Sequence, residues 1–101
     1  MTYPVPVYVG KFAPVRAGDI VDLFVDITAD LTGGDTIATV TLAVTDAENE
    51  AVAGVVGNHT ETDTRTDFRI TAPAAGAYVL TAVFTISDGQ KLTRVANLTV
   101  V

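Results

Sequence analysis

Apolar residues at every second position near the C-terminus give the clearest pattern in the chain. Every second residue from position 78 to 86 is apolar, and these residues are Tyr78, Leu80, Ala82, Phe84 and Ile86. Because successive side chains of a β-strand point to opposite faces, this set shares one face of a strand. Asp88-Gly89 follows, and Asp-Gly between two such runs is a strong hairpin signal. The pattern therefore predicts a β-hairpin that closes the fold.

The second strand of this hairpin repeats the alternation. Its apolar face is formed by Leu92, Ala96, Leu98 and Val100. Arg94 falls on the same face. We expect Arg94 to lie near the end of the strand, because its long side chain can carry the guanidinium to water there.

Five further segments are predicted to be strands and end at glycine, proline or polar turns; four of them alternate, and the short segment 51–56 is bounded by Gly57-Asn58. The five segments are residues 3–9, 20–28, 36–45, 51–56 and 64–70. In segment 20–28, the residues predicted to face inward are Val21, Leu23, Val25 and Ile27. Those predicted to face outward are Asp22, Phe24 and Asp26. In segment 36–45, the predicted inward set is Ala38, Val40, Leu42 and Val44.

These seven strands, with turn signals roughly every 8–12 residues and no helical period, predict an all-β fold. The expected architecture is an immunoglobulin-like two-sheet antiparallel sandwich of about seven strands. A chain of 101 residues is expected to form a single domain. Within it, residues 1–18 are interpreted as an extended N-terminal arm or first strand with a linker, and residues 19–101 as the sandwich.

The charge and composition exclude several classes of function. The net charge is −6 and the few lysines and arginines are dispersed, which argues against a nucleic-acid partner. No apolar run is long enough to cross a membrane, and the N-terminus lacks the basic and apolar regions of a signal peptide. We therefore expect a chain made in the cytoplasm. Without cysteines, the fold must be held by strand pairing, packing or assembly.

Residues for catalysis or metal binding are scarce. The chain has one histidine, His59, and one serine, Ser87, and Ser87 stands in a turn sequence. One histidine and no cysteine exclude the usual zinc sites. Acidic oxygens for calcium are present in Asp30, Asp35, Asp46, Glu48 and Glu50. The 46–50 cluster lacks EF-hand spacing, so a solvated loop is the simpler interpretation. We expect no catalytic residue, no metal site and no cofactor.

The sequence supports protein binding better than catalysis or metal binding. The candidate binding residues are apolar or aromatic residues near the N-terminus and one phenylalanine predicted to face outward. The candidate set is Tyr3, Val5, Val7, Tyr8, Phe12 and Phe24. Pro4 and Pro6 pre-extend the first segment and cannot donate to a ladder, so it is either an edge strand of its own sandwich or an arm that lies on a neighbouring subunit. Phe24 is either a lone exposed aromatic on a solvated face or part of a binding patch.

Two sets of motifs resemble known proteins. Gly76-x-Tyr78-x-Leu80, Ser87-Asp88-Gly89-Gln90 and Leu98-x-Val100 resemble the closing strands of bacterial and phage immunoglobulin-like modules. Lys11, Pro14, Gly18-Asp19, Asp22, Asp26 and the segment Leu31-x-Gly-Gly-Asp-Thr-Ile37 resemble small proteins from the structural gene clusters of tailed bacteriophages.

This resemblance implies a virion protein without enzymatic activity. The function expected first is capsid decoration, in which the protein binds the head surface. The alternatives are a head–tail connector or tail component, or a module that recognises a carbohydrate or host receptor. The implied partners are the major capsid protein or other virion proteins, with a homo-oligomer also possible.

Overall fold

The structure, a computed structural model, describes residues 7–12 and 14–101. In these residues seven strands follow one another along the chain, with one short 3-10 turn (Thr28–Asp30) between the second and the third. The strands are β1 (Val7–Lys11), β2 (Ile20–Asp26), β3 (Ile37–Thr45), β4 (Val56–Glu61), β5 (Arg65–Thr71), β6 (Gly76–Ile86) and β7 (Lys91–Val100). No helix in the described part of the chain is long and apolar enough to cross a membrane.

The strands form two sheets that pack face to face. One sheet has the order β1-β7-β6-β3 and the other the order β2-β5-β4. All neighbouring strands are antiparallel except β1 and β7, which run parallel. The split of the strands between the sheets is that of an immunoglobulin-type sandwich. The predicted fold class is therefore confirmed.

The core lies between the sheets and is mostly aliphatic. From β6 it receives Leu80, Ala82, Phe84 and Ile86, all buried as the alternation predicts. Phe68 and Ile70 of β5 belong to the same cluster. Truncation of a buried phenylalanine to alanine costs about 3–5 kcal/mol, so the row on β6 is a large part of the stability of a small domain.

The predicted hairpin between β6 and β7 is present. Gly89 has a φ of 93°, which glycine adopts without strain. Its N–H donates to the carbonyl of Ile86 at 2.8 Å, and the N–H of Ile86 donates to the carbonyl of Gln90 at 2.8 Å. This is a three-residue loop with glycine in the left-handed position. The backbone geometry therefore favours glycine at position 89.

A tyrosine near the start of β6 fixes the connection from β5. The hydroxyl of Tyr78 donates to the carbonyl oxygen of Ala74 at 2.6 Å. Immunoglobulin-like sandwiches use a tyrosine at this corner in the same way. The contact ties the turn before β6 to the sheet.

Segment 51–56 is not the short strand that the sequence predicts. Ala51 makes only an isolated bridge to Thr45, and the fourth strand begins at Val56. The carboxylate of Asp46 accepts the N–H groups of Glu48 and Glu50, which folds the chain into a tight turn before residue 51. β4 is almost entirely exposed, so its sequence carries no apolar alternation.

The inward set of β3 differs from the prediction at one position. Ala38 is exposed, and Ile37 is buried in its place. The register against β6 shifts between Ile37 and Thr39, as a β-bulge requires. An extra residue in one strand moves the following side chains to the other face, which explains the difference.

Arg94 is buried, whereas the sequence suggested that its head reaches water. Only 4% of the residue is exposed. Its Nε and Nη2 atoms lie 3.3 Å from the two carboxylate oxygens of Asp30, and its Nη1 donates to the carbonyl of Thr93 at 2.8 Å. A charge at this depth persists only with such partners. The pair links β7 to the connection between β2 and β3.

We expect Asp30→Ala to destabilise the fold by about 3 kcal/mol, because it leaves the Arg94 guanidinium buried without its counter-charge. Urea unfolding measures the loss, with Glu48→Ala as a control that removes an equal charge from an exposed loop. The double variant Asp30→Ala/Arg94→Met should recover most of the lost stability. Equal stability of Asp30→Ala and Glu48→Ala would contradict the role given to the pair.

Thr66 is a second polar group in the core. It is fully buried on β5, and its hydroxyl has no hydrogen-bond partner among the described residues. A buried hydroxyl without a partner costs free energy that a methyl group of the same shape does not.

We therefore expect Thr66→Val to raise the free energy of unfolding by about 1 kcal/mol, visible as a higher Tm. Thr71→Val, on an exposed position of the same strand, is the matched control and should change stability by less than about 0.5 kcal/mol. A lower Tm for Thr66→Val would show that the hydroxyl has a partner in solution.

Candidate functional site

The outer face of the three-stranded sheet brings together charged residues and one aromatic. We call it the Phe24 face, and its residues are Asp22, Phe24 and Asp26 of β2 with Arg65, Asp67 and Arg69 of β5. In the antiparallel register Asp22 stands opposite Arg69, Phe24 opposite Asp67, and Asp26 opposite Arg65. Directly opposed side chains interact across an antiparallel pair, so acidic positions on β2 meet basic positions on β5.

Phe24 is 51% exposed and its ring has a fixed neighbour. The guanidinium carbon of Arg65 lies 4.3 Å from the ring centroid, which is a cation–π arrangement. Asp67 holds the same guanidinium through its Nη2 and, at 3.1 Å, through its Nε. The exposed ring is therefore supported by an ordered salt bridge.

Asp22 and Arg69 form the second ion pair of this face. The Nε of Arg69 donates to Oδ1 of Asp22 at 2.8 Å, and its Nη2 donates to Oδ2 at 3.2 Å. Both side chains are largely exposed, so water screens the pair and it adds little to stability. Its two-point geometry instead fixes the direction of both side chains.

The carboxylates of the Phe24 face stay ionised to lower pH than free aspartates. The hydrogen bond from Arg69 lowers the pKa of Asp22, and the hydrogen bond from Arg65 lowers the pKa of Asp67. For Asp26, the hydroxyl and the N–H of Thr28 donate to the carboxylate and lower its pKa. The face therefore keeps its alternating charges across the neutral and mildly acidic range.

Exposed apolar surface is concentrated on β2. Among the described residues, the large hydrophobic side chains that are exposed are Ile20, Phe24 and Val101. Ile20 has the same parity as Phe24 and so lies on the same face of the strand. An exposed aromatic next to an arginine has the composition of a protein-binding contact.

The residues predicted for the N-terminal arm are only partly described. Tyr3 and Val5 lie outside the described residues. Val7 and Tyr8 belong to β1, whose backbone pairs with β7 of the same chain in the registers Val7 to Arg94 and Tyr8 to Val95. Their binding role stays a prediction.

Phe12 and Phe24, the other two predicted binding residues, have different surroundings. The ring of Phe12 packs edge-on against Phe68 with centroids 6.2 Å apart and is partly buried against the core. Phe24 points to solvent on the outer face. The partner-binding role predicted for each is not tested by this geometry.

Four residues of the surface were not singled out from the sequence: Ile20, Arg65, Asp67 and Arg69. Alternation does place the last three on one face of their strand. What it does not reveal is that this strand pairs with β2. The opposite charges on segments 20–28 and 64–70 are a signal that could have suggested the pairing.

The residues considered for catalysis and metal binding have local structural contacts. Nδ1 of His59 contacts the carboxylate of Glu61, its neighbour on the same side of β4. Oγ of Ser87 accepts the N–H of Thr36 at 3.1 Å, which joins the β6–β7 turn to the start of β3. No group of three or more histidine, cysteine or acidic side chains is placed to hold a metal ion in the described part of the chain.

Comparison with solved structures places the chain in a class of folds. The crystal structure of CopC from Methylosinus trichosporium OB3b matches with a TM-score of 0.55 and 20% identity, over 86% of this chain and 80% of that chain. A titin I-band fragment, I67–I69, matches with a TM-score of 0.44 and 19% identity, over 99% of this chain and 31% of the fragment. CopC, at this identity, supports the sandwich fold alone. A comparison with curated proteins gives no match.

A family model gives the more specific result. Residues 16–99 match the family described as podophage GP4 fiber-tail adaptor protein gp77. Because the match covers most of the chain, the protein belongs to this family. The expectation of a small immunoglobulin-like structural protein of tailed phages is thereby confirmed.

We expect the Phe24 face to make the fold less stable in acid. The pKa values of Asp22, Asp26 and Asp67 are lowered in the folded state from an ordinary value of 3.8. A lowered folded pKa gives stability that is present above the ordinary pKa and is lost as pH falls through the folded pKa. Thermal melts should show that these groups change the Tm little between about pH 7 and about pH 5. Below pH 3.8, the ordinary aspartate pKa, the Tm should fall.

The matched control is Asp22→Asn, which has lost one of the three carboxylates. Its Tm should fall less on acidification than that of the natural chain. A Tm that rises on acidification below the ordinary aspartate pKa would contradict the assignment.

Proposed function

We propose that the protein is a non-enzymatic adaptor in a podophage tail, which joins a fibre to the tail through protein–protein contacts. The observation that carries the proposal is the family match over residues 16–99. The name of that family refers to a fibre and a tail, and membership in it supports a place in the virion.

The Phe24 face supplies a contact surface of suitable chemistry. It offers a supported aromatic ring, two arginines and alternating charges, and arginine and aromatic residues are frequent among the side chains that dominate binding. One face of a three-stranded sheet is small compared with a stable interface of roughly 1,600 Å². Repetition of the contact in a symmetric tail would strengthen it, because linked weak contacts gain from a high effective concentration.

The family match favours the tail component, which the sequence suggested as an alternative, over capsid decoration. Decoration of the head, with the major capsid protein as partner, has no support from the comparisons. Recognition of a carbohydrate or host receptor has no specific observation in its favour, and the chain lacks tryptophan, the largest stacking side chain.

The proposal predicts that the protein fractionates with tails. Virions are disrupted, and heads and tails are separated and probed for the chain. We expect it in the tail fraction, and we expect Phe24→Ala to reduce its incorporation by about tenfold because the substitution removes the central aromatic contact. Thr81→Ala, a substitution on the other sheet, is the control. Recovery of the protein on tail-less heads would refute the tail assignment.

A further inference from the structure

The outer edge of β2 carries backbone groups that pair with no described residue. β2 lies at the end of its sheet and its ladder is made with β5. The N–H of Ile27 donates to the carbonyl of Thr64 at 2.9 Å, on the β5 side. Backbone groups alternate between the two sides of a strand. The N–H and C=O groups that point to the open side are therefore those of Ile20, Asp22, Phe24 and Asp26.

Among the described strands, the sheet edges formed by β1, β3 and β4 are interrupted, but the edge formed by β2 is not. The registers of β1, β3 and β4 each shift within the strand. The end of β3 is also covered, because Ala51 bridges Thr45 and the N–H of Val52 donates to Val44. β2 pairs without a shift from Ile20 to Asp26. Bulges, prolines and charged side chains protect natural sheet edges. β2 has no bulge, proline or lysine, and its two charged side chains, Asp22 and Asp26, both lie on the outer face, where Asp22 is paired with Arg69.

Apolar side chains are available on both faces of this edge. On the outer face, Ile20 is 63% exposed and Phe24 is 51% exposed. On the inner face, Val21 and Leu23 are only half-buried, although they pack against the core. A strand placed beside β2 would cover both sets with its own alternating side chains.

We propose that the open edge of β2 accepts an extended segment of a partner protein as an added strand. Only a peptide backbone supplies donors and acceptors at the spacing of about 6.8 Å that alternate strand residues present. The segment is apolar on both faces and has no acidic residues, because Asp19, Asp22 and Asp26 line this edge. The identity of the partner, a fibre or tail protein, rests on the proposed adaptor function.

The Phe24 face gives this edge a fixed shape before binding. The guanidinium of Arg65, itself bound by Asp67, lies over the ring of Phe24, and Arg69 donates to the carboxylate of Asp22. Side chains that are ordered in advance lose less entropy when a partner docks. The added strand thus meets an edge whose outer side chains are already positioned.

The test compares Asp22→Pro with Asp22→Ala. Both variants remove the carboxylate and its pair with Arg69, but only proline removes the open-side N–H. This N–H is not used in the β2–β5 ladder, so both variants are expected to fold, which their Tm values check. The probe is a synthetic peptide of alternating valine and alanine, apolar on both faces, with a lysine at each end, titrated into the full chain by NMR.

In the natural chain and in Asp22→Ala, the peptide should slow hydrogen exchange at the amides of Phe24 and Asp26. Asp22→Pro should bind the peptide about tenfold more weakly than Asp22→Ala does. A peptide that is N-methylated at alternate amides should not bind to the natural chain. The N-methylated peptide keeps the test valid if Asp22→Pro does not fold. Equal binding by both variants, or protection at β3 or β4 amides instead, overturns the proposal.

The chain's own N-terminal segment is the competing occupant of the edge. If the amides of Asp22, Phe24 and Asp26 exchange slowly without peptide, and become fast in a variant that lacks residues 2–6, that segment fills the edge and the proposal fails. The assay does not depend on the position of the protein in the virion. Absence from tails would therefore refute the adaptor function and leave the strand-acceptor result to be judged separately.

Discussion

The burial of the inward row of β6 is the contact on which the rest of the structure depends. β6 lies between β3 and β7, so its register sets the position of both neighbours. Its row from Leu80 to Ile86 meets the second sheet, and the chain has neither disulfide nor tryptophan to join the two layers by other means. Tyr78 adds a hydrogen bond at the start of the strand. The outward side chains of β2 and β5 do not belong to this core and remain open to contact with a partner.

Sequence patterns predicted the strands that have one buried face and one open face. β6 and β7 show this best, because a strand with one face in the core and one in solvent has apolar residues at every second position. β4 was missed because both of its faces are largely exposed, so backbone pairing with β5 forms it without an apolar signal. The bulge in β3 was also hidden, because Ile37 and Ala38 are both apolar and the alternation is compatible with either register.

The candidate surface was predictable only in part, for a related reason. Alternation placed Phe24 on the outer face, but the partners of that face come from far along the chain. Asp22 and Arg69 are 47 positions apart, and Arg94 and Asp30 are 64 apart. A single sequence contains the charges of such pairs and not the strand order that brings them together. The burial of Arg94 could be understood only once Asp30 was known to lie beside it.

The parallel pairing of β1 with β7 determines how the protein responds to tension. The pairing continues beyond β1, since Phe12 donates to Asn97, Val15 donates to Thr99, and Val101 donates back to Val15. A pull on residue 7 against residue 101 slides these two segments past each other and stretches all their hydrogen bonds together. An antiparallel hairpin pulled at its two open ends would instead lose its bonds one after another. In the proposed adaptor, a force along the strands is thus shared by all the hydrogen bonds between these two segments. A force at right angles to the strands is not shared in this way.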